Sequence, residues 1–181
     1  MKENLSQYKE KFNPYNTKGT VVFGRVRRFF LGKNTPALFT RITCNIAILY
    51  FFYVFLYALT MLLAFKFGKN LPQGPHWEKL FEGIGQKYGI TNINLSYTLY
   101  LLTLIVFSVT SFLSTMFVWR KRINGYIPVI ASAVICAFSA FIFLGMDYVK
   151  AETGWWEYAF GGLVIVLFTI DFILQKRLAN K

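Results

Sequence analysis

Histidine, cysteine and acidic side chains are scarce in this sequence. Its 181 residues include one histidine, two cysteines and eight aspartates and glutamates. Because they do not cluster at the spacings of metal ligands, we expect no zinc, di-iron or haem centre and no cofactor. Cys44 and Cys136 fall at different depths of two apolar stretches, and this separation predicts two free thiols instead of a disulfide.

Phosphate-binding loops and nucleophile relays are also lacking. Gly83 and Gly85 fit neither the P-loop nor the dinucleotide-binding spacing. No serine lies in a motif that would place a basic side chain beside it, and acyl-transfer chemistry needs such a partner. The sequence therefore predicts a protein that is not an enzyme.

Charge is absent from long stretches of the chain. The uncharged stretches are Ile42–Phe65, Leu95–Val118, Tyr126–Met146 and Trp156–Leu174, the last interrupted only by Asp171. As a helix, the first would be about 36 Å long, which exceeds the roughly 30 Å of a bilayer's hydrocarbon core. We therefore predict an all-α, polytopic membrane protein with four transmembrane helices over residues 42–181, preceded by a basic arm over residues 1–41.

The charges outside these stretches are unevenly distributed, and the formal net charge is +12. The arm carries nine Lys and Arg, the loop at 120–122 carries three, and the C-terminal tail carries three. The intervening loops hold five cations and five acidic residues. We expect the protein to lie in the inner membrane of the cell. Because basic loops stay on the cytoplasmic side, we expect both termini in the cytoplasm.

Two extramembrane segments have helical periodicity. Residues 20–31 place Val and Phe on one face and arginines on the other, which is typical of a helix in the membrane interface. Residues 75–88 form a second amphipathic pattern in an outer loop. The candidate contacts to lipid or to a partner are Arg25, Arg27, Arg28, Lys33 and Arg41. A nucleic acid is the alternative partner of these cations.

Hydroxyl side chains follow one side of two predicted spans. On the first span these are Tyr50, Tyr53 and Tyr57, and on the second span they include Thr103, Thr110 and Ser114. Such rows favour close helix packing, in which the hydroxyls bond to another helix or back to the carbonyl four residues earlier in their own helix. The alternatives are a ligand pocket lined by the tyrosines and a water-filled pathway along the second span.

Asp171 is the only ionisable residue inside a predicted span. It precedes Gln175 and Lys176 by about one turn, so its carboxylate could reach the cytoplasmic surface or pair with Arg41, Arg120 or Arg122. A role in proton or cation handling is the functional alternative.

These patterns favour a non-catalytic membrane protein that acts as an accessory or regulatory subunit by associating with other proteins or with itself. One rival hypothesis is an oligomeric pore or small transporter. Another is a membrane-tethered regulator of a nucleic-acid-handling system, such as an antiviral RNA-guided nuclease, contacted through the basic arm.

Overall fold

The computed structural model describes residues 36–68 and 74–179. The predicted interfacial helix over residues 20–31 lies outside this part, as do Arg25, Arg27, Arg28 and Lys33. The helices are α1 (Leu38–Phe67), α2 (Gly74–Lys87), α3 (Ile93–Trp119), α4 (Tyr126–Leu144), α5 (Met146–Glu152) and α6 (Trp155–Ala179), with a short 3₁₀ helix at Ile123–Gly125.

Four helices in the described ranges are long and apolar enough to cross a membrane, so the all-helical class and the number of candidate spans are confirmed. They lie within α1, α3, α4 and α6. The first helix begins at Leu38, four residues before the uncharged stretch, because neither Thr40 nor Arg41 interrupts a helix. Thr40 therefore belongs to the bundle, and the exposed Arg41 lies at its edge.

The four long helices form a ring in the order α1, α3, α4, α6. Packing is extensive between α1 and α3 and between α3 and α4, smaller between α4 and α6, and smallest between α6 and α1. Successive long helices run in opposite directions. Phe65 near the end of α1 contacts Tyr97 near the start of α3, and short connections join α3 to α4 and α4 to α6. We call the end with residues 120–125 the hairpin end, and the end with α2 and α5 the α2 end.

The buried face of α1 combines small and apolar side chains. It includes Thr40, Cys44, Ala47, Phe51, Val54 and Ala58. The alternating spacing of three and four residues keeps one stripe of the helix against its neighbours. Cys44 and Cys136 are both buried free thiols, which confirms the prediction made from their different depths.

The turn at the hairpin end is a Schellman motif. The amide of Arg122 donates to the carbonyl of Phe117 at 3.0 Å, and that of Lys121 to Val118 at 2.8 Å. Lys121 occupies the left-handed position with a φ of 60°, where glycine is the usual residue. The turn therefore carries the conformational cost of a side chain at this position.

Glycine at position 121 is expected to stabilise the protein. Because a left-handed backbone costs a non-glycine residue about 1 kcal/mol, Lys121→Gly should raise the free energy of unfolding by up to about 1 kcal/mol. Thermal unfolding of the purified protein in detergent measures this gain. Gly89 holds the same position at the end of α2, with a φ of 66°, so Gly89→Lys should have the opposite sign. A loss of stability in Lys121→Gly would contradict this assignment.

A polar cluster joins the end of α2 to α5. The Tyr88 hydroxyl donates to Glu152 Oε1 at 2.5 Å, and Lys87 Nζ lies 3.4 Å from the same oxygen. The Tyr88 and Tyr148 rings also meet edge to face, with centroids 5.6 Å apart. Both hydrogen bonds hold the pKa of Glu152 below its usual value of 4.5, and the bond from Tyr88 has the larger effect.

Acid should therefore weaken the attachment of α2. A carboxyl whose pKa is lower in the folded state stabilises it above the unfolded pKa, and this stabilisation disappears as pH falls through the folded pKa. We expect hydrogen exchange in α2, corrected for intrinsic rates, to rise as pH falls below 4.5. In Glu152→Gln the exchange should be faster at neutral pH and lose most of this pH dependence. An unchanged pH profile in that variant would contradict the expectation.

Candidate functional site

Asp171 is buried among hydroxyl groups at the hairpin end of the bundle. Only 1% of its surface is exposed. Its Oδ1 accepts a hydrogen bond from Thr40 Oγ1 at 2.9 Å, and its Oδ2 accepts one from Tyr126 Oη at 2.7 Å. Gln175 Nε2 donates in turn to Thr40 Oγ1 at 3.2 Å. We call these four residues the Asp171 cluster; it connects α1, α4 and α6.

This arrangement differs from both sequence expectations for Asp171. In the part of the chain that the structure describes, hydroxyls bind the carboxylate in place of Arg41, Arg120 or Arg122, whose side chains are exposed. Nor does the carboxylate reach the surface. The aspartate side chain is short, so it cannot bend far toward the headgroups. Its position on the helix therefore decides whether it reaches them.

Thr40 and Tyr126 are cluster members that the sequence analysis missed. The charge pattern places Thr40 in the basic arm because Arg41 follows it, and it gives Tyr126 no role beyond that of the first residue of a span. The stripe of small residues on α1 provides a signal for Thr40, because it extends from Ala47 through Cys44 back to Thr40. No comparable sequence signal marks Tyr126.

Two hydroxyls of the predicted row on α3 bond back to their own helix. Thr103 and Thr110 donate to the carbonyls of Leu99 and Val106, four residues earlier in the same helix. They therefore need no partner on another helix. The buried side of α3 carries Ser114 of the predicted row together with Ser108, Ser111 and Thr115, and two of these four also bond back to their own helix.

Gly125 lies against the backbone of α3. A Cβ atom at Gly125 would lie 2.8 Å from the carbonyl oxygen of Ser114 and 2.9 Å from the backbone nitrogen of Val118. Real Cβ contacts are longer, so the chain after the hairpin lies directly on the α3 backbone. This close approach holds α3 and α4 together at the hairpin end, and the sequence analysis did not identify it.

Tyr50, Tyr53 and Tyr57 line a pocket of about 490 Å³ between the long helices. We call it the tyrosine pocket. Tyr100 and Tyr158 line it too, and Cys136, Ala137 and Ala140 of α4 form another wall. The Tyr53 and Tyr57 rings stack with centroids 6.5 Å apart. Gly161 of α6 lies beside Tyr50, since a Cβ there would be 3.0 Å from the tyrosine hydroxyl.

Two further observations bear on chemistry. Within residues 36–68 and 74–179, no group of three or more His, Cys, Asp and Glu side chains could hold a metal ion. The exposed charges of the hairpin end are all basic in the described ranges, and they belong to Arg41, Arg120, Lys121, Arg122, Lys176 and Arg177.

Comparison with known proteins yields no relative: no protein-family model, no curated protein and no solved structure matches this chain.

Proposed function

We propose that this protein is a non-catalytic accessory or regulatory subunit in the inner membrane, acting by association with other proteins or with itself. Its proposed topology has both termini in the cytoplasm. The observation that carries the proposal is the exposed basic surface of the hairpin end. In the described ranges the only acidic residue near this surface is Asp171, whose carboxylate is buried.

The basic surface supports the orientation and suggests a partner. Cations next to membrane helices stay on the cytoplasmic side, and eight more Lys and Arg precede α1 in the sequence. Such a surface attracts anionic lipid headgroups or an acidic protein surface. The loops at the α2 end are balanced in charge and lack this attraction.

The interior of the bundle gives less support to the pore hypothesis. Ser108 and Thr115 on the buried side of α3 bond to carbonyls of their own helix, which is typical of packed helices. The Asp171 carboxylate is likewise occupied by the hydroxyls of Thr40 and Tyr126. An interior of this kind suits a protein whose function lies on its surfaces.

Native mass spectrometry of protein extracted from its own membrane in mild detergent tests the proposal. We expect either a defined oligomer or a second polypeptide at fixed stoichiometry. Replacing Arg120, Lys121 and Arg122 with glutamine should weaken that assembly, whereas the matched change of Lys66, Lys79 and Lys150 at the α2 end should not.

A monodisperse 21.0 kDa monomer under all mild conditions would contradict the proposal. Ion flux through liposomes that contain the purified protein would instead support an oligomeric pore. Equal weakening by both sets of glutamine substitutions would show that the basic surface has no special role in association.

A further inference from the structure

The tyrosine pocket lies within the apolar part of the bundle. Along α1 it extends from Ile46 to Tyr57, which is about 16 Å at roughly 1.5 Å per residue. Both residues belong to the first candidate span. A pocket at this depth is exposed to hydrocarbon chains before it is exposed to water.

The pocket is open toward the side of the bundle between α1 and α6. Leu49 and Tyr53 on α1 line it and are 70% and 59% exposed, and Trp156 and Phe160 on α6 are also exposed lining residues. The contact between α1 and α6 is the smallest in the ring. A molecule in the surrounding membrane can therefore enter laterally.

The dimensions of the pocket favour a narrow occupant. Its volume of about 490 Å³, spread over about 16 Å, gives a mean cross-section of about 30 Å². A helix at least about 10 Å in diameter has a cross-section of about 80 Å². The pocket is thus too narrow for a transmembrane helix and wide enough for one hydrocarbon chain.

The lining of the pocket favours an uncharged molecule. Among the residues that the structure describes, those that line it include no Asp, Glu, Lys, Arg or His, and an ionic headgroup would lose its hydration there without gaining a counter-charge from them. Trp156, Tyr158 and Thr153 line the part nearest the α2 end. Tryptophan and tyrosine at this level combine an apolar ring with a polar group, as at a membrane interface.

We propose that the tyrosine pocket binds an uncharged membrane lipid, with one hydrocarbon chain between α1 and α6 and the oxygen atoms of its head beside Trp156, Tyr158 and Thr153. The chain fills the narrow apolar volume. The tyrosine rings give it flat apolar contacts, and the polar groups at the α2 end bind the head by hydrogen bonds.

Photocrosslinking in detergent micelles with two lipid probes tests this assignment. One probe is diacylglycerol with a diazirine in one acyl chain, and the other is phosphatidylglycerol with the same chain. We expect the neutral probe to form adducts concentrated in peptides that contain residues 46–57 of α1 and the first turns of α6. The anionic probe should give at least fivefold fewer adducts at these positions.

A matched pair of substitutions on α4 distinguishes the pocket from the outer surface. Ala137 lines the pocket, whereas Val134, one turn earlier, is exposed and does not line it. Ala137→Phe should reduce the adducts with the neutral probe at least fivefold, and Val134→Phe should leave them unchanged. Leu49→Trp narrows the entrance from an exposed position, so it repeats the test if Ala137→Phe does not fold.

Several results would overturn the assignment. They are equal adduct yields in the pocket-filling and control variants, adducts spread evenly over all lipid-facing peptides, and equal labelling of the pocket by the anionic probe.

Discussion

Replacing Asp171 with alanine is expected to lower the free energy of unfolding by about 2–4 kcal/mol. The substitution removes the acceptor of two buried hydroxyls, those of Thr40 and Tyr126. A buried polar group without a partner costs about 1–3 kcal/mol. Thr40 can recover part of this by bonding to a carbonyl three or four residues earlier in the chain, whereas Tyr126 cannot reach its own backbone. Thermal unfolding of the purified protein in detergent measures the loss.

Two control variants separate the hydrogen bonds of Asp171 from its position in the membrane. Asp171→Asn retains one oxygen acceptor and offers an amide donor to the Tyr126 hydroxyl, so we expect a loss below about 1 kcal/mol. Thr103→Val removes a hydroxyl that bonds only to Leu99 in its own helix, and its effect should stay below about 0.5 kcal/mol. If Asp171→Ala were as stable as Thr103→Val, the Asp171 cluster would not hold the bundle together.

Alanine at position 125 should destabilise the hairpin between α3 and α4 by about 2 kcal/mol. Its Cβ would lie 2.8 Å from the Ser114 carbonyl oxygen, and a backbone atom in a packed helix moves only with the helix. Overpacking of this kind typically costs about 1–3 kcal/mol. Unfolding in detergent, with the change in the transition midpoint as the readout, measures the effect.

The same chemical change at Gly162 provides the control, with the opposite sign. A Cβ at Gly162 meets nothing within 4 Å, and alanine favours a helix interior over glycine by up to about 1 kcal/mol. Gly162→Ala should therefore be neutral or stabilising. Equal effects of Gly125→Ala and Gly162→Ala would show that α3 and α4 do not approach each other so closely at the hairpin end.

The long helices could be predicted from sequence because a bilayer demands an uninterrupted apolar stretch. That criterion concerns each residue by itself, and residues 42–65 satisfy it without reference to any neighbour. It does not mark where a helix begins, and α1 starts at Leu38, four residues before the predicted span. Arg41 ended the uncharged stretch, although an exposed arginine at the edge of a span is compatible with a helix.

The polar arrangement inside the bundle could be predicted only in part. Thr103 and Thr110 share a helix face, but their hydroxyls are satisfied by their own backbone, so this face had no need to be buried. The face that packs combines serines with Leu101, Leu104 and Val118. Clustering of hydroxyls therefore predicts the packed face of α3 less well than the spacing of small and apolar residues together.

The Asp171 cluster depends on the order in which the helices pack. The two donors to Asp171 come from α1 and α4, and no pattern within α6 identifies them. The tyrosine pocket could also be predicted only in part. The alignment of Tyr50, Tyr53 and Tyr57 on one face follows from the sequence. The space in front of them does not, because it depends on the small contact between α1 and α6.

Accessibility of single cysteines in intact cells tests the proposed orientation most directly. Cys44 and Cys136 are replaced with alanine, and one cysteine at a time is introduced at the exposed positions Lys79, Lys150, Lys121 and Lys176. A membrane-impermeant maleimide should label the first two positions, at the α2 end, and should label the last two only after the membrane is permeabilised. Labelling at Lys121 or Lys176 in intact cells would contradict an inward-facing basic end, and with it the proposed mode of association.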